Sequence, residues 1–177
     1  VPAGGTTITP TFTTNAGGNI HVIASEFKSA EVSASGYQVW SSQYPGADLT
    51  DPSADSDHGS LPNGIEWVVG GDPTTGADDA GLAPAIDTTT DPNGKVLFTF
   101  RRSDAASLDP DTTILAEYGS DLGAWTSAAH QGTGAGDITI SEVPDGPGFA
   151  KVTVAIPRGL ASGGKLFARL RVVVVGI

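Results

Sequence analysis

The chain contains no cysteine and no methionine among its 177 residues. Without thiols it has no disulfides, thiolate metal sites or cysteine nucleophiles. Basic residues are few: 9 Lys and Arg stand against 20 Asp and Glu, for a formal net charge of −11. That balance argues against a nucleic-acid partner, since phosphate affinity rests on Lys and Arg. It argues against an anionic membrane surface for the same reason. No apolar run approaches the roughly 20 residues that a membrane-spanning helix needs. Aromatics are scarce, with 3 Trp, 3 Tyr and 6 Phe, and a core of this size needs most of them. No G-x-S-x-G elbow and no phosphate-cradling Gly loop before a helix are present.

What is abundant is turn chemistry. There are 24 Gly and 12 Pro, 36 together, well above the typical share of roughly 12%. Hydrophobic residues still make up 38%, too many for a disordered chain. The acidic, Thr- and Gly-rich, Cys-free balance reads as a secreted bacterial protein of the extracellular cell surface. Val1-Pro2-Ala3-Gly4-Gly5 reads as a mature N-terminus left by signal-peptide cleavage, or as the start of a cut segment.

Three zones differ in texture. Residues 1–36 are expected to be an N-terminal strand arm and hinge. Thr7-Ile8-Thr9-Pro10-Thr11-Phe12-Thr13 alternates polar and apolar positions, a period of two that predicts a strand. Pro10 donates no hydrogen bond, so this strand belongs at an edge or apart from the main sheet. Asn15-Ala16-Gly17-Gly18-Asn19 is a turn or hinge, and residues 20–24 predict a second strand. Residues 37–92 form a helical, acidic segment. One short helix is expected around Tyr37, Val39, Trp40 and Tyr44; another spans 62–69 and is closed by Gly70-Gly71. Residues 93–177 predict a β-sandwich body, with strands at 95–102, 112–118, 137–142, 149–156 and 166–175 separated by Gly- and Pro-rich turns. The fold class is therefore all-β: an antiparallel sandwich or jelly roll with a short helical insertion, one globular domain overall.

The acidic stretch from Asp55 to Glu66 has the length and end residues of an EF-hand calcium loop. Such a loop draws six to eight oxygens from positions 1, 3, 5, 7, 9 and 12, with a bidentate Glu last. Asp55 fills position 1, Asp57 position 3 and Glu66 position 12. Leu61 can offer its carbonyl at position 7, and Asn63 an oxygen at position 9. Gly59 stands where position 5 usually has Asp, and Ser60 where position 6 usually has Gly. Either the Gly59 carbonyl and Ser60 hydroxyl compensate, or the site is weakened. Asp51 can reach in from upstream. The bland alternative is a solvated acidic turn before a helix.

Together Trp40, Asp51-Pro52, Ala54-Asp55, Asp57, Leu61-Pro62-Asn63-Gly64-Ile65-Glu66-Trp67 and Gly71-Asp72-Pro73 resemble a motif of secreted bacterial surface proteins of the planctomycete and verrucomicrobial kind. There the motif precedes a carboxy-terminal β-domain. That domain's recurrent phrases are matched here by Phe98-Thr99-Phe100-Arg101-Arg102, by Ala116-Glu117-Tyr118-Gly119-Ser120-Asp121-Leu122 with Trp125, and by Phe167-Ala168-Arg169-Leu170-Arg171-Val172. The resemblance spans residues 37–175. It implies a calcium loop and a β-sandwich module, and says little about function.

The three His residues, His21, His58 and His130, lie too far apart in sequence to suggest a zinc site. Glu117 and Glu142 could be named as a glycosidase pair only arbitrarily, and no enzyme activity is expected. Trp40, Trp67 and Trp125 read as core anchors more readily than as a sugar-stacking platform. Two non-enzymatic functions remain. In one, the chain is a fibril subunit that polymerises head-to-tail. The arm resembles the donor strands of pilus-like fibrils, with Ile8, Pro10 and Phe12 entering a groove of the next copy. In the other, it is a calcium-stabilised module that binds or anchors to carbohydrate or a cell surface. The expected partners are thus further copies of itself or surface glycans.

Overall fold

The computed structural model describes residues 34–91 and 94–177. The predicted arm, with Ile8, Pro10 and Phe12, lies outside the described residues. Strands form where the period-two pattern predicts them: β2 (Lys95–Ser103), β3 (Thr112–Gly119), β5 (Thr139–Pro144), β6 (Phe149–Pro157) and β7 (Phe167–Val174). Two short strands join them, β1 (Ala85–Asp87) and β4 (Thr126–Ser127). They make two antiparallel sheets, ordered β1-β2-β6-β5 and β4-β3-β7.

The alternation explains the core. Strand β2 turns Val96, Phe98 and Phe100 to one face, and in register β6 sets Ile156, Val154 and Val152 opposite them. Phe98, Phe100, Val152, Val154 and Ile156 cluster with Ile138. Ile114, Ala116, Ala168 and Leu170 of the other sheet pack against that cluster. Each such side chain, fully buried, contributes roughly 1.5–3 kcal/mol.

Four short helices sit beside the sheets: α1 (Gly36–Ser41), α2 (Asn63–Val69), α3 (Asp79–Leu82) and α4 (Asp104–Leu108). Ser35 and Gln38 cap α1 reciprocally as a capping box. Gly70 ends α2 at φ 79°, a left-handed cap that suits glycine. Ser103 caps α4 by accepting from the Ala106 N–H. Helices this short are marginal alone, so packing must hold them. Tyr37, Trp40, Leu49, Trp67, Val68 and Ala106 supply it in a second cluster. The Trp40 and Trp67 rings lie 5.7 Å apart, and the Trp67 indole donates to the Thr112 hydroxyl at 3.2 Å. Trp125 instead carries the Arg169 guanidinium over its ring at 4.1 Å.

Some elements escape the pattern. Residues after Pro73 read as a linker, yet they hold α3 and β1. No period marks α3; one helical turn is fixed there by tertiary contacts of Asp79. The valine-rich tail, apolar on both faces, is expected to be a strand covered on both sides. Its strand β7 is an outer strand among the described residues, and Val175 and Ile177 are exposed.

Candidate metal centre

The acidic loop folds back on itself between α1 and α2. Asp57 comes from its middle, Glu66 from the first turn of α2, and Asp79 from the start of α3. One carboxylate oxygen from each lies within 4.8 Å of the others. Two oxygens on opposite sides of a calcium ion at 2.3–2.6 Å would be about that far apart.

Two glycines allow the close approach. A Cβ on Gly59 would collide with the Asp79 carboxylate and the Gly76 backbone, and would sit 2.9 Å from Asp57 Oδ1. A Cβ on Gly76 would collide with Gly59 in turn. The loop 55–60 and the turn before α3 therefore touch backbone to backbone. The residues flanking Gly59 carry the strain: His58 has φ 61° and Ser60 φ 148°. Ser60 thus holds a conformation that glycine takes without cost, at the position where the calcium-loop pattern has glycine.

The electrostatics are one-sided. Glu66 is 0% exposed and Asp79 1%. Asp57 Oδ2, both Glu66 carboxylate oxygens, Asp78 Oδ1 and Asp79 Oδ1 are buried without a hydrogen-bond partner among the described residues. Burial, followed by the charges of Asp57, Asp79, Asp78 and Asp55, pushes the Glu66 carboxyl up to about 8. Burial likewise raises Asp57, with Asp55 and Asp79 adding to the effect. Among the described residues no Lys or Arg is paired with any of the four acids. Uncompensated buried charge of this kind is costly unless a cation neutralises it. An all-oxygen donor set suits a hard divalent ion rather than zinc or copper.

The remaining oxygens are spent on the scaffold. Asp57 Oδ1 accepts the Gly59 N–H at 2.8 Å. Asp78 Oδ2 accepts the Asp72 N–H at 3.2 Å. Asp79 Oδ2 accepts the Leu61 N–H at 2.8 Å.

Of the residues proposed from the loop pattern, the structure brings Asp57 and Glu66 together. Asp55 sits at the margin, accepting the Gly59 N–H at 3.2 Å. Gly59 acts as a point of close approach, and Leu61 turns its N–H toward Asp79. Asn63 is fully buried but occupied: its side-chain oxygen accepts from Ser56 N–H, and its amide donates to the carbonyls of Asp48 and Asp51. The Asp51 carboxylate binds Ser53, whose hydroxyl and N–H hold it below the usual range. Asp78 and Asp79 are absent from the loop reading because they lie beyond position 12. Their signal was the pair of adjacent acids shortly after Gly71-Asp72-Pro73.

Glu117, Glu142 and His130 are engaged elsewhere. Glu117 accepts from Arg169 at 2.7 Å, and Glu142 pairs with Arg102 at 2.8 Å on the other sheet. His130 Nδ1 accepts the Ile140 N–H at 3.1 Å. Among the described residues no helix is long and apolar enough to cross a membrane. Comparison with family models, with curated proteins and with solved structures finds no match.

Proposed function

We propose that the chain is a non-enzymatic, extracellular β-sandwich module whose acidic centre is closed by calcium and which serves in binding or anchoring. The observation that carries this reading is the set of five unpartnered carboxylate oxygens on Asp57, Glu66, Asp78 and Asp79. Their charges repel, and a divalent ion would turn that repulsion into a clasp tying α2 to α3 and to loop 55–60. Calcium tolerates an irregular set of carboxylate oxygens, whereas magnesium demands a near-ideal octahedron. Glu117 and Glu142, each matched with an arginine, favour a structural over a hydrolytic role. Chelation is expected to lower the melting temperature, calcium to restore it better than magnesium, and Glu66→Ala to abolish the response. An unchanged melting curve overturns the site. Turnover on a glycoside, ester or peptide panel, abolished by a point mutation, overturns the non-enzymatic reading.

A second reading, a head-to-tail fibril subunit, is favoured by one feature of the sheets. Strand β4 meets β3 only at Glu117 and Tyr118, so residues 112–115 lack a strand neighbour on that edge among the described residues. Strand β5 is also an outer strand. Between them lies a cleft of about 320 Å³, lined by Phe100, Ile114, Ile140, Val152 and Val154 among others. An added strand would satisfy both the edge and the apolar lining. In this reading the strand comes from another copy, with Ile8, Pro10 and Phe12 facing the cleft. Negative-stain microscopy should then show fibres that disappear when residues 1–18 are deleted. Equal assembly without them overturns the reading.

A further inference from the structure

We infer that the aromatic-walled pocket between α1, α2, α4 and the turn before β6 binds a neutral sugar ring. The inference rests on the binding-module reading and is independent of the fibril one. The pocket has a volume of about 410 Å³, within the usual range for small-ligand sites. Trp40, Tyr44, Trp67 and Phe149 contribute its aromatic wall, and Gln43 and Asp104 its polar rim.

The wall is firmly built. Trp40 and Trp67 are 8% and 5% exposed and back the pocket from the core. Phe149 is pinned from two sides. Arg101 lies 3.5 Å from its ring centroid. Gly70 leaves room for the ring edge, which a Cβ there would meet at 2.5 Å. The floor is the end of α2, where the N–H groups of Gly70 and Gly71 both donate to the Glu66 carbonyl, at 2.7 and 2.9 Å. Tyr44 and Phe149 are half-buried, so they are the rings on which a ligand can lie.

The chemistry of the rim selects the ligand. Asp104 is exposed, and its carboxylate is an acceptor for donated hydrogen bonds. Gln43 adds an amide that both donates and accepts. A wholly apolar ligand would desolvate these groups without replacing their hydrogen bonds. An anionic ligand finds no Lys or Arg in the lining among the described residues; the nearby Arg101 is already spent on Phe149 and on Asp145 at 3.5 Å. The formal charge of −11 repels a polyanion further. An organic cation would want several open ring faces around it, but Trp40 and Trp67 are too covered to close such a cage. A pyranose needs less. Its C–H face stacks on one ring, and its equatorial hydroxyls donate to a carboxylate and exchange hydrogen bonds with an amide.

The test uses the full chain in calcium. Neutral cello-, xylo-, manno- and chito-oligosaccharides are titrated by calorimetry and by tryptophan emission, which responds because Trp40 and Trp67 border the site. At least one is expected to bind. Asp104→Ala and Tyr44→Ala should each weaken it by about tenfold, a difference well resolved in Kd. Glu142→Gln, on the outer strand β5, should leave it unchanged. Thermal melts confirm that the variants fold; Asp104 is exposed, so its variant keeps the test valid even where Tyr44→Ala is damaged. Sugar binding that survives both substitutions removes this pocket but keeps the binding-module reading. No binding of any oligosaccharide, with the calcium response intact, overturns both the pocket and a glycan-binding role. Binding of tetramethylammonium instead of any sugar overturns the inference in favour of a cation cage.

Discussion

Two buried acidic regions sit within the same helical layer and are handled in opposite ways. Asp109, 7% exposed, ends α4 and is surrounded by donors. The Thr112 hydroxyl donates to it at 2.7 Å, and the backbone N–H groups of Tyr37 and Asp111 at 3.3 Å each. Burial alone would raise its carboxyl, but these hydrogen bonds hold it below the ordinary range. Glu66, 0% exposed, has no donor on either oxygen among the described residues and four other acids nearby. One charge is solvated by the chain itself. The other has no such shell, and without a cation beside it the carboxyl keeps its proton up to about 8. Burial is therefore a poor guide to the role of an acid, and the partners of its oxygens are a good one.

With calcium closing the centre as proposed, the comparison breaks most visibly on chelation. A ligand that binds only the folded state stabilises it by about 2.7 kcal/mol at a hundredfold excess over its Kd. Chelation is expected to cost that much, read from thermal or urea unfolding. In chelator the pH dependence should run in the direction that Glu66 dictates. Its folded carboxyl titrates near 8, against an ordinary 4.5, so between those values the folded state holds a proton that the unfolded state has released. Stability from this group therefore falls as pH rises through that window, by up to about 1.4 kcal/mol per unit. Glu66→Gln should remove both the slope and the calcium response. A slope unaltered by that substitution would place the buried charge elsewhere.

How much of this was legible in the sequence differs by region. The strands at β2, β3, β5, β6 and β7 follow from alternation and turn residues, because both signals are local. Helix α2 and its Gly70 end were legible for the same reason. The centre was half legible. Asp57 and Glu66 lie within one loop pattern, but Asp78 and Asp79 arrive from a different turn, brought close by the Gly59–Gly76 contact. No local rule marks two glycines that meet from 17 positions apart in sequence. Asn63 illustrates the converse. Its place at position 9 of the calcium-loop pattern suggested a ligand, while its fully used side chain acts as a brace for residues 48–56. The two sheets' order could not be read either, because pairing across a chain depends on contacts distant in sequence.

The next effect in size tests the self-solvated acid. Asp109→Ala leaves the Tyr37 and Asp111 N–H groups without their acceptor, next to the aromatic cluster. A loss of about 1–3 kcal/mol is expected from urea unfolding at neutral pH. The sign of its pH dependence is opposite to that of Glu66. The folded carboxyl is lowered, so its contribution is present above the ordinary carboxylate range and is lost as pH falls through the folded value. The gap between wild type and Asp109→Ala should thus narrow on acidification. It should be indifferent to calcium. A calcium-dependent gap would mean that the two regions are coupled and that the contrast between them is false.

The smallest effect comes from an acid neutralised by a neighbouring side chain in partial contact with water. Arg102 meets both oxygens of Glu142 at 2.8 Å, a two-pronged geometry that is the strongest form of such a pair. Yet the two side chains keep 22% and 42% of their exposure. Solvent screens the attraction, and two long side chains lose freedom in making it. A double-mutant cycle with Arg102→Ala and Glu142→Ala should give a coupling of about 0.5 kcal/mol at low salt. Raising the ionic strength to about 1 M shrinks the Debye length to roughly 3 Å and should erase most of that coupling. The Asp109 contribution, made of buried hydrogen bonds out of reach of bulk ions, should persist in the same salt. If the Arg102–Glu142 coupling instead exceeds the loss from Asp109→Ala, then an opposite charge at a half-exposed edge outweighs a full shell of neutral donors, and the ranking by oxygen partners must be reversed.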